Sequence, residues 1–298
     1  MRLFGKRRYV VVAFALLVLF WGSAFSVVKV GLEYSPPMLF AGLRTLMGGL
    51  VILLVAVVWG GSPRLRRDWP VFLLLAAFNV VLFFGFQTLA ILYLPSGTAA
   101  VLEYLQPMLV GLLAWTILGE SLSLAKISGL ILGFSGIVAV SSGSIFGSVS
   151  PTGVAFGAGS ALSWALGTVF FKRYEARIST VWAVALPFVI GGTVLTLFGF
   201  ATESWSEVSP TATLLVSLSY VSLVEIALAW LIWFGLVRAG EASRVAVYVF
   251  FVPLVSIVIG AIFLDERPTL SLLIGTFLIV TGIYAVNRSP TGNDKYVG

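Results

Sequence analysis

The sequence contains neither cysteine nor histidine, and only 10% of its residues are charged. Without cysteine the chain can form no disulfide and no thiolate metal site. Without histidine it lacks the imidazole group that serves metal binding and proton relay, so Ser-His-Asp triads and H-E-x-x-H zinc sites are excluded. A G-x-x-x-x-G-K-[ST] phosphate loop is also missing, so the chain does not itself hydrolyse ATP. We therefore expect no enzyme, no resident cofactor and no metal.

Apolar residues dominate the chain instead. Of the 298 residues, 59% are hydrophobic, and the mean hydropathy is +1.08. A membrane-spanning helix needs about 20 predominantly apolar residues. Stretches of about this length lie at residues 9–31, 38–59, 71–93, 98–118, 124–143, 152–173, 180–201, 212–236, 243–264 and 270–287. The sequence therefore predicts an all-α integral membrane protein with ten transmembrane helices.

The net charge of +6 is distributed by side of the membrane. Most lysines and arginines fall in the N-terminus, the C-terminus and the even-numbered loops between predicted spans, including Arg64, Arg66, Arg67, Lys172 and Arg173. In membrane proteins the cytoplasmic loops carry this excess of positive charge. We therefore expect both termini in the cytoplasm and a multi-pass location in the inner cell membrane. We expect the protein to interact with the lipid bilayer and not with nucleic acid.

The second half of the chain repeats the first. Residues 96–140 align with residues 242–286. The identical pairs include Pro107 with Pro253, Glu120 with Glu266, Gly129 with Gly275, and Gly136 with Gly282; a second alignment matches Trp21 with Trp164. Each copy holds five predicted spans, and two copies with an odd number of spans must cross the membrane in opposite directions. The sequence thus predicts two inverted five-helix repeats, at 1–147 and 148–288, and a cytoplasmic polar tail at 289–298.

Small residues and prolines are expected to shape the helix packing. Gly129 and Gly133 form a G-x-x-x-G pattern, which lets two helix backbones approach closely. We assign this contact to packing within the chain and expect a monomer, with a homodimer interface as the alternative. Pro107 and Pro253 fall in the middle of predicted spans and are predicted helix hinges, with static kinks as the alternative.

Arg44, Glu103 and Glu225 are ionisable residues well inside predicted spans. A charge at the centre of a spanning helix costs about 2.5–3.5 kcal/mol, so each needs a partner or a wet cavity. Arg44 and Glu103 have similar predicted depths in the membrane, so they are expected to form a structural ion pair. The alternative is that both line a cavity and bind the two charged groups of a zwitterionic substrate. No basic residue is predicted at the depth of Glu225. Burial of an unpaired carboxylate favours its neutral form, which makes Glu225 the candidate proton carrier; a protonated glutamic acid hydrogen-bonded between helices is the alternative.

Polar and aromatic side chains recur on single faces of several predicted helices. Asn79, Phe83 and Gln87 follow one another at four-residue intervals, which places them on one helix face. Aromatic rings with a polar edge suit a cavity for a small organic substrate, although single aromatic residues more often belong to the packing. The predicted substrate-binding residues are Trp21, Asn79, Phe83, Gln87, Tyr104, Trp164, Trp230 and Tyr248.

Several motifs resemble those of EamA-type ten-helix exporters, a family of the drug/metabolite transporter superfamily. They are FWGSAFSVVKVGLEYSPP, FAGLR with Arg44, LPSGTAAVLEYLQPMLVGLLAWTILGESLS, the span that ends in FLDERP, and LIGTFLIVTGIYAVN. The resemblance covers essentially the whole chain and implies two five-helix domains that export small metabolites or drugs. Small multidrug members use a glutamate in the first helix. Span one here has none, so the resemblance implies the YddG-like amino-acid exporter branch and not that proton-antiport mechanism.

The patterns together predict a secondary transporter. Its two repeats would open a central cavity alternately to the two sides of the membrane. The substrate would be a small molecule, foremost a neutral or aromatic amino acid. Two alternatives stay open: a multidrug or cation exporter coupled to protons, and a channel-like facilitator with the same fold.

Overall fold

The computed structural model describes residues 7–94, 99, 102–145, 150–252, 254–255 and 270–288. Within these ranges the regular structure is helical, and no strand occurs. Five of the described helices are long and apolar enough to cross a membrane: Pro37–Trp59, Leu65–Tyr93, Pro151–Tyr174, Thr180–Thr202 and Ala212–Ala239. Shorter apolar helical segments lie at Tyr9–Ala24, Gln106–Leu118, Leu124–Ala139 and Ile274–Arg288. The prediction of an all-helical fold with several membrane-spanning helices is confirmed for the described residues.

The described helices are numbered in chain order, and each overlaps a predicted span. They are α1 (Arg7–Leu32), α2 (Pro37–Trp59), α3 (Leu65–Tyr93), α4 (Gln106–Leu118), α5 (Leu124–Ile145), α6 (Pro151–Tyr174), α7 (Thr180–Thr202), α8 (Ala212–Ala239), α9 (Ala242–Ala246) and α10 (Leu270–Arg288). A 3-10 turn (Trp205–Glu207) connects α7 to α8, and another (Val247–Phe250) continues α9. The predicted repeat boundary at 147/148, Pro253 and the tail at 289–298 lie outside the described residues.

Three of the described helices contain wide π-turns, which the sequence pattern does not indicate. They cover Ala77–Leu82 in α3, Ala114–Leu118 in α4 and Val221–Leu228 in α8. A π-turn adds a residue to the helical repeat and is frequent at functional sites. It therefore rotates the side chains on one side of it relative to those on the other.

The helix is interrupted next to Pro107. Leu102 and Glu103 are helical, Tyr104 and Leu105 form a turn, and α4 begins at Gln106 with Pro107 in its first turn. Proline fits there because the first helical N–H groups have no partner within the helix. That Pro107 acts as a hinge stays a prediction.

The helices pack in pairs that join the two halves of the chain. α2 packs along α7, α5 along α10, α3 against α6, α1 against α8, and α4 against α9. Each of the helices α1 to α5 corresponds to the helix of the second repeat whose number is five higher. Replacing both helices of a pair by their counterparts always gives another pair of this set, or the same pair. Two repeats related by a two-fold axis produce this pattern.

Glycines bring α5 and α10 into backbone contact. A Cβ atom built on Gly129 would lie 2.6 Å from the carbonyl oxygen of Gly282, and one built on Gly136 would lie 2.7 Å from that of Gly275. Residue numbers thus rise along α5 as they fall along α10, so the two helices are antiparallel. α2 and α7 are antiparallel too, since Gly42 contacts Thr196 and Gly49 contacts Val189. No side chain larger than hydrogen fits at these α5–α10 contacts without moving a helix.

A charged cluster joins the loop after α4 to the start of α9. Gly119 ends α4 with a φ of 72° and is followed by Glu120, whose carboxylate accepts hydrogen bonds from the backbone N–H groups of Ala242 (2.6 Å) and Ser243 (3.2 Å). The fully buried Lys126 donates to Glu241 Oε2 (2.9 Å) and to Ser243 Oγ (3.0 Å).

Glu241 is held in its charged form by this cluster. Burial alone would raise the pKa of Glu241, but the hydrogen bonds and charges of Lys126 and Arg244 outweigh burial and lower that pKa below its ordinary value. The cluster therefore attaches the loop between α4 and α5 to the loop between α8 and α9 through ionised groups.

Candidate functional site

A chain of hydrogen bonds links four buried polar side chains inside the helix bundle. Arg44 on α2 donates through Nη1 to both carboxylate oxygens of Glu225 on α8, at 3.1 and 2.9 Å. Its Nη2 donates to Gln87 Oε1 on α3 at 3.1 Å. Gln87 Nε2 in turn donates to Glu103 Oε2, just before α4, at 2.8 Å. The amide of Gln87 thus connects the guanidinium to the second carboxylate.

The elements that carry these groups explain how they meet. Glu225 lies within the π-turn of α8, and Gln87 follows the π-turn of α3 by about one helical turn. Glu103 stands next to the turn that precedes α4. The long Arg44 side chain reaches them across the bundle, with its guanidinium carbon 4.8 Å from the centre of the Phe84 ring. The ion pair and this ring compensate for removing the Arg44 charge from water.

The polar chain lines a cavity of about 40 Å³. Its polar lining is Arg44, Gln87, Glu103 and Glu225, and its aromatic lining is Trp21, Phe83, Phe84, Tyr104, Trp164 and Trp230. Ala24, Val28 and Ile91 complete it. The space suits a few waters or a small polar group.

The tryptophans of the lining are in contact with one another. The ring centres of Trp21 and Trp164 are 5.3 Å apart, and those of Trp21 and Trp230 are 5.9 Å apart. Phe83 lies 5.3 Å from Trp164 and 6.0 Å from Trp230. Trp21 and Trp164 are the residues that the internal sequence alignment pairs. Each repeat therefore contributes its own copy of this tryptophan to one shared aromatic wall.

Most residues predicted to bind substrate lie on this cavity, and two do not. Trp21, Phe83, Gln87, Tyr104, Trp164 and Trp230 line it. Asn79 is fully buried elsewhere, close to Gly167, because Asn79 lies within the π-turn of α3, which breaks the helix face that regular spacing would give it in common with Phe83. Tyr248 stacks on Phe14 at 4.1 Å instead.

The predicted ionic partners need a correction. Arg44 pairs with Glu225, and it reaches Glu103 only through Gln87. The expectation that Glu225 has no basic residue at its depth is therefore wrong. Counting residues from the helix ends misses the length of the arginine side chain, which extends several ångströms beyond its Cα, and it misses the π-turn at Glu225. Whether Glu225 carries a proton stays a prediction.

Sequence reasoning missed several lining residues. Phe84, Ala24, Val28 and Ile91 carry no polar atom and stand in uniformly apolar helices, so the sequence gives no signal for them. Trp233 packs against Trp21 and Trp164, and its ring centre lies 5.6 and 5.7 Å from theirs. In the described part of the chain no cluster of acidic side chains could hold a metal ion.

A family model and several relatives match this chain. The model described as the EamA-like transporter family matches twice, over residues 8–142 and 151–288. An uncharacterized transporter of Bacillus subtilis (strain 168), YvbV, is 47% identical over 273 residues, which cover 92% of this chain and 90% of the relative. A probable amino-acid metabolite efflux pump of Escherichia coli (strain K12) is 30% identical over 281 residues, with 90% and 91% covered.

The fold also matches a solved structure. A crystal structure superposes with a TM-score of 0.82 over 95% of this chain and 97% of that one, at 23% sequence identity. At that identity the match concerns the fold alone. The helix arrangement described above is thus one that occurs in an experimentally determined protein.

Proposed function

This chain belongs to the EamA-like transporter family, as its sequence motifs predicted, and from that premise we propose that it exports small metabolites, foremost amino acids. It is a membrane transporter and not an enzyme, since its family and its named relatives are transporters. The name of the Escherichia coli relative, an amino-acid metabolite efflux pump, supports the substrate class. The proposed location is the inner cell membrane.

The proposed topology is ten spans in two inverted repeats with both termini in the cytoplasm. The antiparallel pairs α2/α7 and α5/α10 support it, because equivalent helices of two inverted repeats cross the membrane in opposite directions. The family model, which matches twice, supports two repeat units. The proposed boundary between them is at residues 147/148, and the proposed protein is a monomer.

One observation carries the proposed mechanism: the cavity is built from both repeats. Arg44, Gln87 and Glu103 come from the first, and Glu225 and Trp230 come from the second. Any rocking of one repeat against the other must therefore change the shape of the cavity. The cavity is small, about 40 Å³, and such a movement would enlarge it for the substrate. Alternating access supplies this movement.

Glu225 is the proposed proton carrier within this mechanism. Protonation of Glu225 would remove its ion pair with Arg44 and free the guanidinium to change partner. A proton-coupled cation exporter is the second candidate, and the aromatic wall with two carboxylates favours it. A channel-like facilitator would have the same cavity but would not need the repeats to move.

The test is uptake of labelled amino acids into proteoliposomes of the purified full-length protein, with and without a pH gradient. The expected result is saturable uptake that increases when unlabelled substrate is present on the opposite side. Flux that grows linearly with concentration, without this trans-stimulation, would indicate a facilitator. Absence of uptake for every amino acid of the panel would rule out the amino-acid class.

A further inference from the structure

The charges that line the cavity do not balance. Of the described lining residues, Arg44 is the one cation, while Glu103 and Glu225 are two carboxylates. Arg44 is paired closely with Glu225, through two hydrogen bonds of 3.1 and 2.9 Å. Among the described residues, the hydrogen-bond partner of Glu103 is an amide, the Nε2 group of Gln87. Glu103 is therefore the acidic side chain of the lining that no described cation pairs with directly.

The guanidinium group of Arg44 already has partners in the protein. Nη1 donates to Glu225 and Nη2 donates to Gln87, while Nε is buried and has no partner among the described residues. Arg44 as a whole is only 2% exposed. A substrate carboxylate at Arg44 would compete with Glu225 for the same cation. Loss of the buried Arg44–Glu225 ion pair to such competition would be strongly unfavourable.

Glu103 offers what Arg44 does not. Its Oε1 atom makes no hydrogen bond to a described residue, whereas its Oε2 atom accepts from Gln87. Glu103 shares the cavity lining with Trp21, Trp164 and Trp230, whose rings form the aromatic wall. A cavity lined by a carboxylate and several aromatic rings suits an organic ammonium group, which gains a charge-assisted hydrogen bond and cation–π contacts there.

The size of the cavity agrees with this chemistry. About 40 Å³ accommodates an ammonium group with its first carbon atoms, without the remainder of the substrate. Resting on the transporter function proposed above, we propose that Glu103 and the aromatic wall bind the ammonium group of the substrate, and that the substrate needs no carboxylate. The class transported then includes organic amines as well as amino acids. Glu103 is the specificity-determining residue.

The test compares three matched compounds as ligands of the full-length protein in detergent. They are phenylalanine, phenethylamine, which lacks the carboxylate, and phenylpropionate, which lacks the amino group. Isothermal titration calorimetry, with a protein-free micelle blank, measures their affinities. Phenethylamine and phenylalanine are expected to bind, and phenylpropionate is not.

Substitutions of Glu103 test whether this residue is responsible for binding the ammonium group. Glu103→Gln is expected to weaken phenethylamine binding roughly tenfold or more, which is the usual effect of losing a hydrogen bond to a charged group. Glu103→Asp keeps the charge and is expected to keep the preference for the amine over the acid, which also covers the case that Glu103→Gln fails to fold. Glu33→Gln is the matched control, because Glu33 is exposed and outside the cavity.

Three results would overturn the proposal: phenylpropionate binding as tightly as phenethylamine, an unchanged affinity for phenethylamine in a folded Glu103→Gln protein, or no binding by any of the three compounds. These failures differ from failure of the export function. If amino acids are taken up but the amine does not bind, only the ammonium proposal is wrong. If the amine binds but no amino acid is taken up, only the amino-acid assignment is wrong.

Discussion

The guanidinium group of Arg44 on α2 binds both carboxylate oxygens of Glu225 on α8, at 3.1 and 2.9 Å. The two side chains are 3% and 11% exposed, so the pair is withdrawn from water. It joins a helix of the first repeat to a helix of the second. The pair therefore holds the repeats together at the same place where the cavity forms.

Substitutions of Arg44 and of Glu225 are expected to have coupled effects on the stability of the protein. Arg44→Leu leaves Glu225 buried without a cation and should destabilise the protein by about 3–5 kcal/mol. The double variant Arg44→Leu with Glu225→Leu removes both charges and should recover much of that loss. Thermal unfolding in detergent, followed by tryptophan fluorescence, measures both. A single variant as stable as the double variant would contradict the coupling.

Glu225→Gln is expected to alter the pH dependence of transport. Glutamine keeps the size of the side chain but cannot bind or release a proton, so a step driven by protonation of Glu225 would no longer respond to pH. The measurement is the uptake rate in proteoliposomes across a pH series, with Glu207→Gln on the exposed 3-10 turn as matched control. An unchanged rate and pH profile would remove Glu225 from the mechanism.

Gly282→Ala is expected to disturb the packing of α5 on α10. The new Cβ would lie 2.5 Å from the carbonyl oxygen of Gly129, so one helix must move, at a cost of about 1–3 kcal/mol. Gly85→Ala is the control, because a Cβ there would meet only Leu195, at an ordinary 3.7 Å. Unfolding temperatures of the two variants test this directly. Equal temperatures would mean that the α5–α10 contact gives way easily.

Glu241 is expected to stabilise the protein in a pH-dependent manner. Lys126 and Arg244 hold the folded-state pKa of Glu241 below its ordinary value despite burial. A lowered pKa contributes stability that is complete above the ordinary value of 4.5 and is lost as the pH falls through the folded-state pKa. Glu241→Gln should thus lower the unfolding temperature at neutral pH, and the difference from the parent should shrink below about pH 4.5. A difference that does not change with pH would show that the charge of Glu241 has no part in it.

The sequence predicts the helices well because long apolar runs form helices when they cross a membrane. α2, α6 and α7 begin and end almost where hydropathy places them. The match of Trp21 with Trp164 also carries over into space, since the two rings meet at the cavity. Such features follow from composition and repetition, which are visible without coordinates.

The polar contacts are less predictable because they depend on registers that hydropathy does not determine. Asn79 lies inside the π-turn Ala77–Leu82 and therefore leaves the face of Phe83 and Gln87, although regular spacing places the three on one face. The partner of Arg44 likewise follows from side-chain length and from a second π-turn, and not from its depth in the membrane. The sequence thus indicates which polar residues belong to the site, but not which of them pair.

The contact between α5 and α10 has a consequence for the origin of the molecule. Sequence alignment makes Gly129 equivalent to Gly275 and Gly136 equivalent to Gly282, yet Gly129 touches Gly282 and Gly136 touches Gly275. Each five-helix unit therefore contains both surfaces of the contact. A shorter ancestor of one unit could make the same contact with a second copy inserted in the opposite direction. Gene fusion would then have fixed the orientation of the two copies, and after it one copy could acquire Arg44 and Glu103 while the other acquired Glu225.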